Sequence, residues 1–81
     1  MKAINKVRVG ELAIAILGPR SLQDIAAGLV LKDLGLINRT LRRAGLPQFE
    51  SLEEAELYLP SAETIGYAAN VKFKFELHKG W

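Results

Sequence analysis

Polar and apolar residues alternate strictly near the end of the chain. Over 71–78 the apolar side of an extended chain would carry Val71, Phe73, Phe75 and Leu77, and the polar side Lys72, Lys74, Glu76 and His78. A period of two is typical of a β-strand with one buried face. Residues 5–9 alternate in the same way over a shorter stretch. The pattern predicts that these two segments pair with each other.

The middle of the chain has helical spacing instead. Ser21 is the predicted N-cap of a helix that ends at Gly35, and a second helix is predicted over 38–44. The Gly-Leu-Pro sequence at 45–47 is a typical helix ending. The first of these helices has one apolar stripe, formed by Leu22, Ile25, Ala26, Leu29, Val30 and Leu34.

A further short helix is predicted after Ser51. Ser51 and Glu54 form a capping-box pattern, and Pro60 ends the helix. Two segments stay open. Residues 11–17 are apolar almost all round, which favours a buried helix but also fits a continued strand, and 61–69 is either a helical turn or an irregular loop.

These elements predict one α+β domain over residues 1–81. Three or four short helices would pack on a small antiparallel sheet formed by the N- and C-terminal strands. A chain of 81 residues has room for one hydrophobic core. We expect that core to contain Leu12, Ile14, Ile16, Leu22, Ile25, Leu29, Leu34, Leu41, Leu52, Phe73 and Phe75.

Charge divides the chain unevenly, although the formal net charge is only +2. Residues 1–49 carry eight basic and three acidic side chains, whereas 50–63 carry five acidic side chains and no basic one. Three arginines fall within five residues, at Arg39, Arg42 and Arg43. The spacing of three and four places them on neighbouring positions of a helix surface.

Residues 28–47 resemble a helix-turn-helix DNA-binding segment, most nearly that of small winged or excisionase-like regulators. The resemblance rests on a Leu-Gly turn at 34–35, a basic helix after it, and the Gly-Leu-Pro sequence. It implies a bend near Gly35 and a recognition helix that faces a major groove. Side chains expected to face outward from that helix are Asn38, Arg39, Thr40, Arg42 and Arg43.

The resulting prediction is a small DNA-binding or regulatory protein whose partner is double-stranded DNA. Secondary phosphate contacts are expected from Lys6, Arg8, Lys72 and Lys74. The alternative is that the arginines form a solvated surface, paired with Asp33 or with the acidic segment at 50–56.

A rival function is a small protein-protein interaction module: an adaptor, an inhibitor or an assembly subunit, of a kind common in phages and mobile elements. It would bind a protein partner, or form a homodimer, through an open sheet edge, through Glu53 and Glu54 of the acidic helix, and through Trp81.

Other chemistries find little support in the sequence. With one histidine, no cysteine and no glycine-rich phosphate loop, we expect no enzyme activity, no cofactor and no metal site. The longest apolar run is too short for a membrane-spanning helix, and the start of the chain lacks a signal-peptide pattern. The absence of cysteine favours a cytoplasmic location.

Overall fold

The computed structural model describes residues 5–79, with side chains described for 5–77. A 3-10 turn at Lys6–Arg8 leads into the first helix. Five α-helices occupy most of the described chain: α1 at Val9–Ile16, α2 at Pro19–Leu31, α3 at Leu34–Arg43, α4 at Leu52–Tyr58 and α5 at Ala62–Lys79. Helix α2 is central and packs chiefly against α5 and α3.

The predicted antiparallel sheet is not formed, so the α+β fold class is wrong. Residues 5–79 contain no strand. The segment at 5–9 is the 3-10 turn and the start of α1, and the Asn5 side chain caps the turn by accepting the Val7 N–H at 3.0 Å. The alternating segment at 71–78 belongs to α5.

Helix α5 includes the alternating segment because its first half is anchored and nothing afterwards stops it. The Ser61 hydroxyl accepts the Thr64 N–H at 3.1 Å, and Ile65 and Ala69, one turn apart, are buried. Helix propagation adds one hydrogen bond per residue, and residues 67–79 contain neither glycine nor proline. Of the two conformations that the sequence allowed for 61–69, the helical one is therefore correct: Ser61 is the N-cap, and 62–69 form the first turns of α5.

The helical conformation redistributes the four alternating apolar residues. Successive helix residues are about 100° apart, so Val71 and Phe75 lie on one face and Phe73 and Leu77 on another. Phe73 is half-buried, but Phe75 is 68% exposed and Leu77 is 70% exposed. The prediction that Phe75 is a core residue is wrong for this reason.

The other helices agree better with the sequence pattern. The helical interpretation of 11–17 is confirmed by α1, and α4 begins and ends where Ser51 and Pro60 predict. Helix α2 starts earlier than expected, with Gly18 as its N-cap and Pro19 in its first turn, where the missing proline N–H costs nothing. The Ser21 hydroxyl is therefore not the cap.

One hydrophobic core joins all five helices. Leu22, Ile25, Leu29 and Leu41 are buried as predicted, while Leu12, Ile14, Leu34 and Leu52 pack against the core from its edge. Ile16 is exposed, because Leu17 takes the buried position at the end of α1. The core also contains buried residues that the sequence pattern did not predict: Val9, Ala13, Ile37, Leu46, Phe49, Ala55, Leu59, Ile65 and Ala69.

Candidate nucleic-acid interface

Helices α2 and α3 meet at a two-residue corner. Helix α2 ends at Leu31, and Lys32 adopts the left-handed conformation with φ 57°. The Asp33 carboxylate then caps α3 by accepting the Leu36 N–H at 3.1 Å. The chain thus bends at 32–33, two to three residues before the bend predicted near Gly35, and Gly35 itself lies inside α3.

Close packing fixes the angle of this corner. Gly28 of α2 faces Ile37 of α3, which is fully buried. A Cβ atom on Gly28 would lie 2.6 Å from the Ile37 Cγ1 atom and 3.3 Å from the Asp33 carbonyl oxygen. The glycine therefore permits an approach of the two helices that no other residue allows.

The far end of α3 is closed by a Schellman motif. Gly45 has φ 73°, its N–H donates to the Arg42 carbonyl at 3.0 Å, and the Leu46 N–H donates to the Leu41 carbonyl at 2.9 Å. This confirms the helix ending predicted from the Gly-Leu-Pro sequence. Both ends of α3 are thus held by specific hydrogen bonds.

Three arginines occupy the exposed face of α3. Arg39, Arg42 and Arg43 are all exposed, and with Gly35 they span an arc of about 100° around the helix axis. We call these three side chains the arginine face. The ion pairs within residues 5–77 do not include any of the three. Arg42 and Arg43 lie in the last turn, where the helix dipole favours positive charge.

Two other residues predicted to face outward from α3 do not do so. The Asn38 side chain bonds to the backbone of Phe49 through both of its polar atoms: Nδ2 donates to the carbonyl and Oδ1 accepts the N–H, each at 2.8 Å. Thr40 is 5% exposed, and its hydroxyl donates to the Leu36 carbonyl at 3.0 Å. Both side chains therefore form hydrogen bonds within the protein.

Three of the four predicted secondary phosphate contacts also have partners in the molecule. Lys6 lies 3.2 Å from a carboxylate oxygen of Glu54, and Arg8 lies 3.5 Å from one of Glu11. The Lys72 ammonium donates to carbonyls at the end of α1, including that of Leu17 at 2.6 Å. Lys74 is exposed on α5.

The acidic side chains at 50–56 form ion pairs with lysines outside α3 and not with the arginines of α3. Glu56 pairs with Lys32 at the corner at 2.5 Å, and Lys6 is shared by Glu54 and Glu50. The hydrogen bond with Glu54 is the main cause that raises the pKa of Lys6. The Glu50 backbone N–H and then Lys6 lower the pKa of Glu54. The pairing of the arginines with Asp33 or with 50–56, which the alternative interpretation included, is not found among the described residues.

Of the features proposed to bind a protein partner, the structure describes only the acidic pair on α4. Residues 5–79 contain no sheet and therefore no sheet edge, and Trp81 lies outside the described residues. Glu53 is exposed, but Glu54 is occupied by Lys6, by the Glu50 N–H at 2.9 Å and by its place in the α4 cap.

Helix α5 carries an exposed apolar stripe that the sequence pattern did not predict. Tyr67, Val71 and Phe75 follow one another at intervals of four and are exposed on one face of the helix. We call these three residues the α5 stripe. The spacing was present in the sequence, but the alternation of 71–78 hid it, because Val71 and Phe75 satisfy both periods.

Within residues 5–77 no three histidine, aspartate or glutamate side chains come together in a way that could hold a metal ion. Among the helices described, none combines the length and the apolar character needed to cross a membrane. Comparison of the chain with protein-family models, with curated proteins and with solved structures gave no match.

Proposed function

We propose that this chain is a small non-enzymatic protein that binds double-stranded DNA through the arginine face of α3. One observation carries the proposal: three guanidinium groups point to solvent from one arc of one helix and have no carboxylate partner within residues 5–77. The other predicted basic contacts, apart from Lys74, are paired or act as caps.

The shape of the helix corner suits such a role. An α-helix with its side chains is about 10–12 Å across, and the major groove of B-DNA is about 12 Å wide. The Gly28–Ile37 contact and the two capped ends hold α3 at a fixed angle to α2. A guanidinium group suits phosphate because its N–H groups can form two parallel hydrogen bonds.

The binding strength follows from the number of charges. Three neutralised phosphates predict a slope of about −2.7 for log affinity against log salt concentration. This slope is shallower than the slope that contacts from all the predicted basic residues would give, because fewer phosphates are neutralised. The dissociation constant at physiological salt is expected between about 10⁻⁴ and 10⁻⁶ M.

A fluorescence titration with a labelled duplex at low salt tests the proposal. The unsubstituted protein should bind, and the combined Arg39→Ala, Arg42→Ala and Arg43→Ala variant should lose at least tenfold in affinity. The single variant Arg42→Ala should also lose affinity, and Arg20→Ala is its matched control, because Arg20 is an exposed arginine on α2 and each variant removes one charge. Helix content by circular dichroism checks that each variant folds. Absence of binding by the unsubstituted protein, or an equal loss in the control, contradicts the proposal.

A cytoplasmic location remains part of the proposal. It rests on the lack of cysteine in the sequence, since small secreted domains usually depend on disulfides.

A second candidate function is self-association through the α5 stripe. Exposed apolar side chains on one helix face are typical of interaction surfaces. The stripe is its own complement, because a twofold axis through Val71 would place Tyr67 of each copy against Phe75 of the other. This candidate keeps the homodimer of the rival hypothesis but moves it from the predicted sheet edge to a helix.

A further inference from the structure

The first turn of α3 carries no side chain that could form a hydrogen bond with a DNA base. When a recognition helix lies in the major groove, its first residues contact the base edges. The first turn of α3 carries Leu34, Gly35 and Leu36, and none of these side chains donates or accepts a hydrogen bond. The capping carboxylate of Asp33 is occupied by the Leu36 N–H.

The side chains that could distinguish bases are also occupied. Asparagine is suited to adenine and threonine to several bases or to a thymine methyl group. However, both polar atoms of Asn38 bond to Phe49, and Thr40 is buried with its hydroxyl on the Leu36 carbonyl. Neither side chain can turn toward DNA without breaking contacts that the fold uses.

The three arginines are the remaining side chains of α3 that could contact a base, and no group within residues 5–77 fixes their orientation. A specific contact with guanine needs a guanidinium group held in a two-bond geometry by supporting groups. Arg39, Arg42 and Arg43 are exposed, and the hydrogen bonds of the described side chains do not include them. Contacts with phosphate tolerate such freedom because they depend mainly on charge.

We propose that α3 binds duplex DNA through its phosphate backbone alone and does not read the base sequence. This inference rests on the proposed function and names its target: any double-stranded DNA, without a preferred site. The protein would bind anywhere along a duplex and would not select an operator.

The test compares three duplexes of equal length: alternating dA and dT, alternating dG and dC, and a mixed sequence. Affinities within about threefold of one another support the inference. Proteins that read sequence lose about fivefold or more for each wrong base pair, so a preference above tenfold for one duplex overturns it while leaving the proposed DNA binding intact. Absence of binding to all three duplexes overturns both.

A charge-preserving variant gives an independent reading. Replacement by Arg39→Lys, Arg42→Lys and Arg43→Lys keeps three positive charges but removes the rigid planar guanidinium fork that suits a two-bond contact with guanine. Contact with phosphate alone predicts that affinity changes by the same factor, within about threefold, for all three duplexes and that the salt slope stays the same. A selective loss of affinity for the dG and dC duplex would show that the arginines read guanine and would overturn the inference.

Discussion

Gly28 of α2 and Ile37 of α3 are in direct contact at the point where the two helices cross. A Cβ atom on Gly28 would come within 2.6 Å of a side-chain carbon of a fully buried isoleucine. This contact sets the angle at which α3 leaves the body of the protein. The direction of the arginine face depends on it.

Substitution of Gly28 tests this packing. Alanine in place of glycine raises helix propensity by about 1 kcal/mol, but overpacking a core costs about 1–3 kcal/mol. We expect Gly28→Ala to lower the free energy of unfolding by about 1 kcal/mol, measured by urea denaturation. Gly66→Ala is the control, since a Cβ there meets nothing within 4 Å, and it should raise stability by up to about 1 kcal/mol. Equal stabilisation by both would contradict the close approach.

Asn38 supplies the second prediction. Its removal leaves the N–H and carbonyl of Phe49 without their partners in a partly buried place. Asn38→Ala should lower the free energy of unfolding by about 1–3 kcal/mol, while DNA affinity measured on folded protein stays within about twofold. Asn70→Ala, at an exposed amide on α5, should leave DNA affinity unchanged and should not lower the free energy of unfolding, because alanine has the higher helix propensity. A loss of DNA affinity with an unchanged free energy of unfolding would show that Asn38 contacts DNA and would contradict this assignment.

The third prediction concerns acid stability. The Glu50 N–H and Lys6 lower the pKa of Glu54 below its ordinary value of 4.5 in the folded protein. The resulting stabilisation is complete above about pH 4.5 and is lost as the pH falls through the lowered pKa. The drop in urea midpoint between about pH 7 and pH 3 should therefore be smaller in Glu54→Gln than in the unsubstituted protein. Glu53→Gln, at an exposed neighbour, should keep the full drop.

The fourth prediction separates the two apolar faces of α5. Phe75 and Leu77 are almost equally exposed, but only Phe75 belongs to the α5 stripe. Sedimentation velocity should show a dimer for the unsubstituted protein and for Leu77→Glu, and a monomer for Phe75→Glu. A monomer at all concentrations without any substitution would remove self-association as a function.

Local signals predicted part of the fold. Ser51 and Pro60 bounded α4 correctly, and α3 is closed at Gly45 as predicted, where the structure shows a Schellman motif. These features succeed because a cap depends on hydrogen bonds within a few residues. The apolar stripe of Leu22, Ile25 and Leu29 was also reliable, because one face of α2 packs on both α3 and α5.

The failures come from contacts between distant parts of the chain. The 71–78 alternation favours a strand locally, but Ile65 and Ala69 anchor a helix on α2 that continues through it. The left-handed backbone conformation of Lys32 is unfavourable by itself, and the ion-pair partner of this residue, Glu56, is 24 residues away in the sequence. Such pairings cannot be read from composition or period.

The candidate site was predicted only in part for the same reason. The three arginines were identified from their spacing, and their exposure on one face agrees with it. Asn38 has the residue type of a DNA contact, yet the return of the chain at Phe49 takes both of its polar atoms. Residue type alone does not distinguish these two uses.

The salt dependence of duplex binding tests the role of the arginine face most directly. The slope of log affinity against log salt concentration should be about −2.7 for the unsubstituted protein. It should become shallower, about −1.8, in Arg42→Ala, because one phosphate contact is lost. A slope near zero, or the same slope in both proteins, would contradict the assignment of DNA binding to α3.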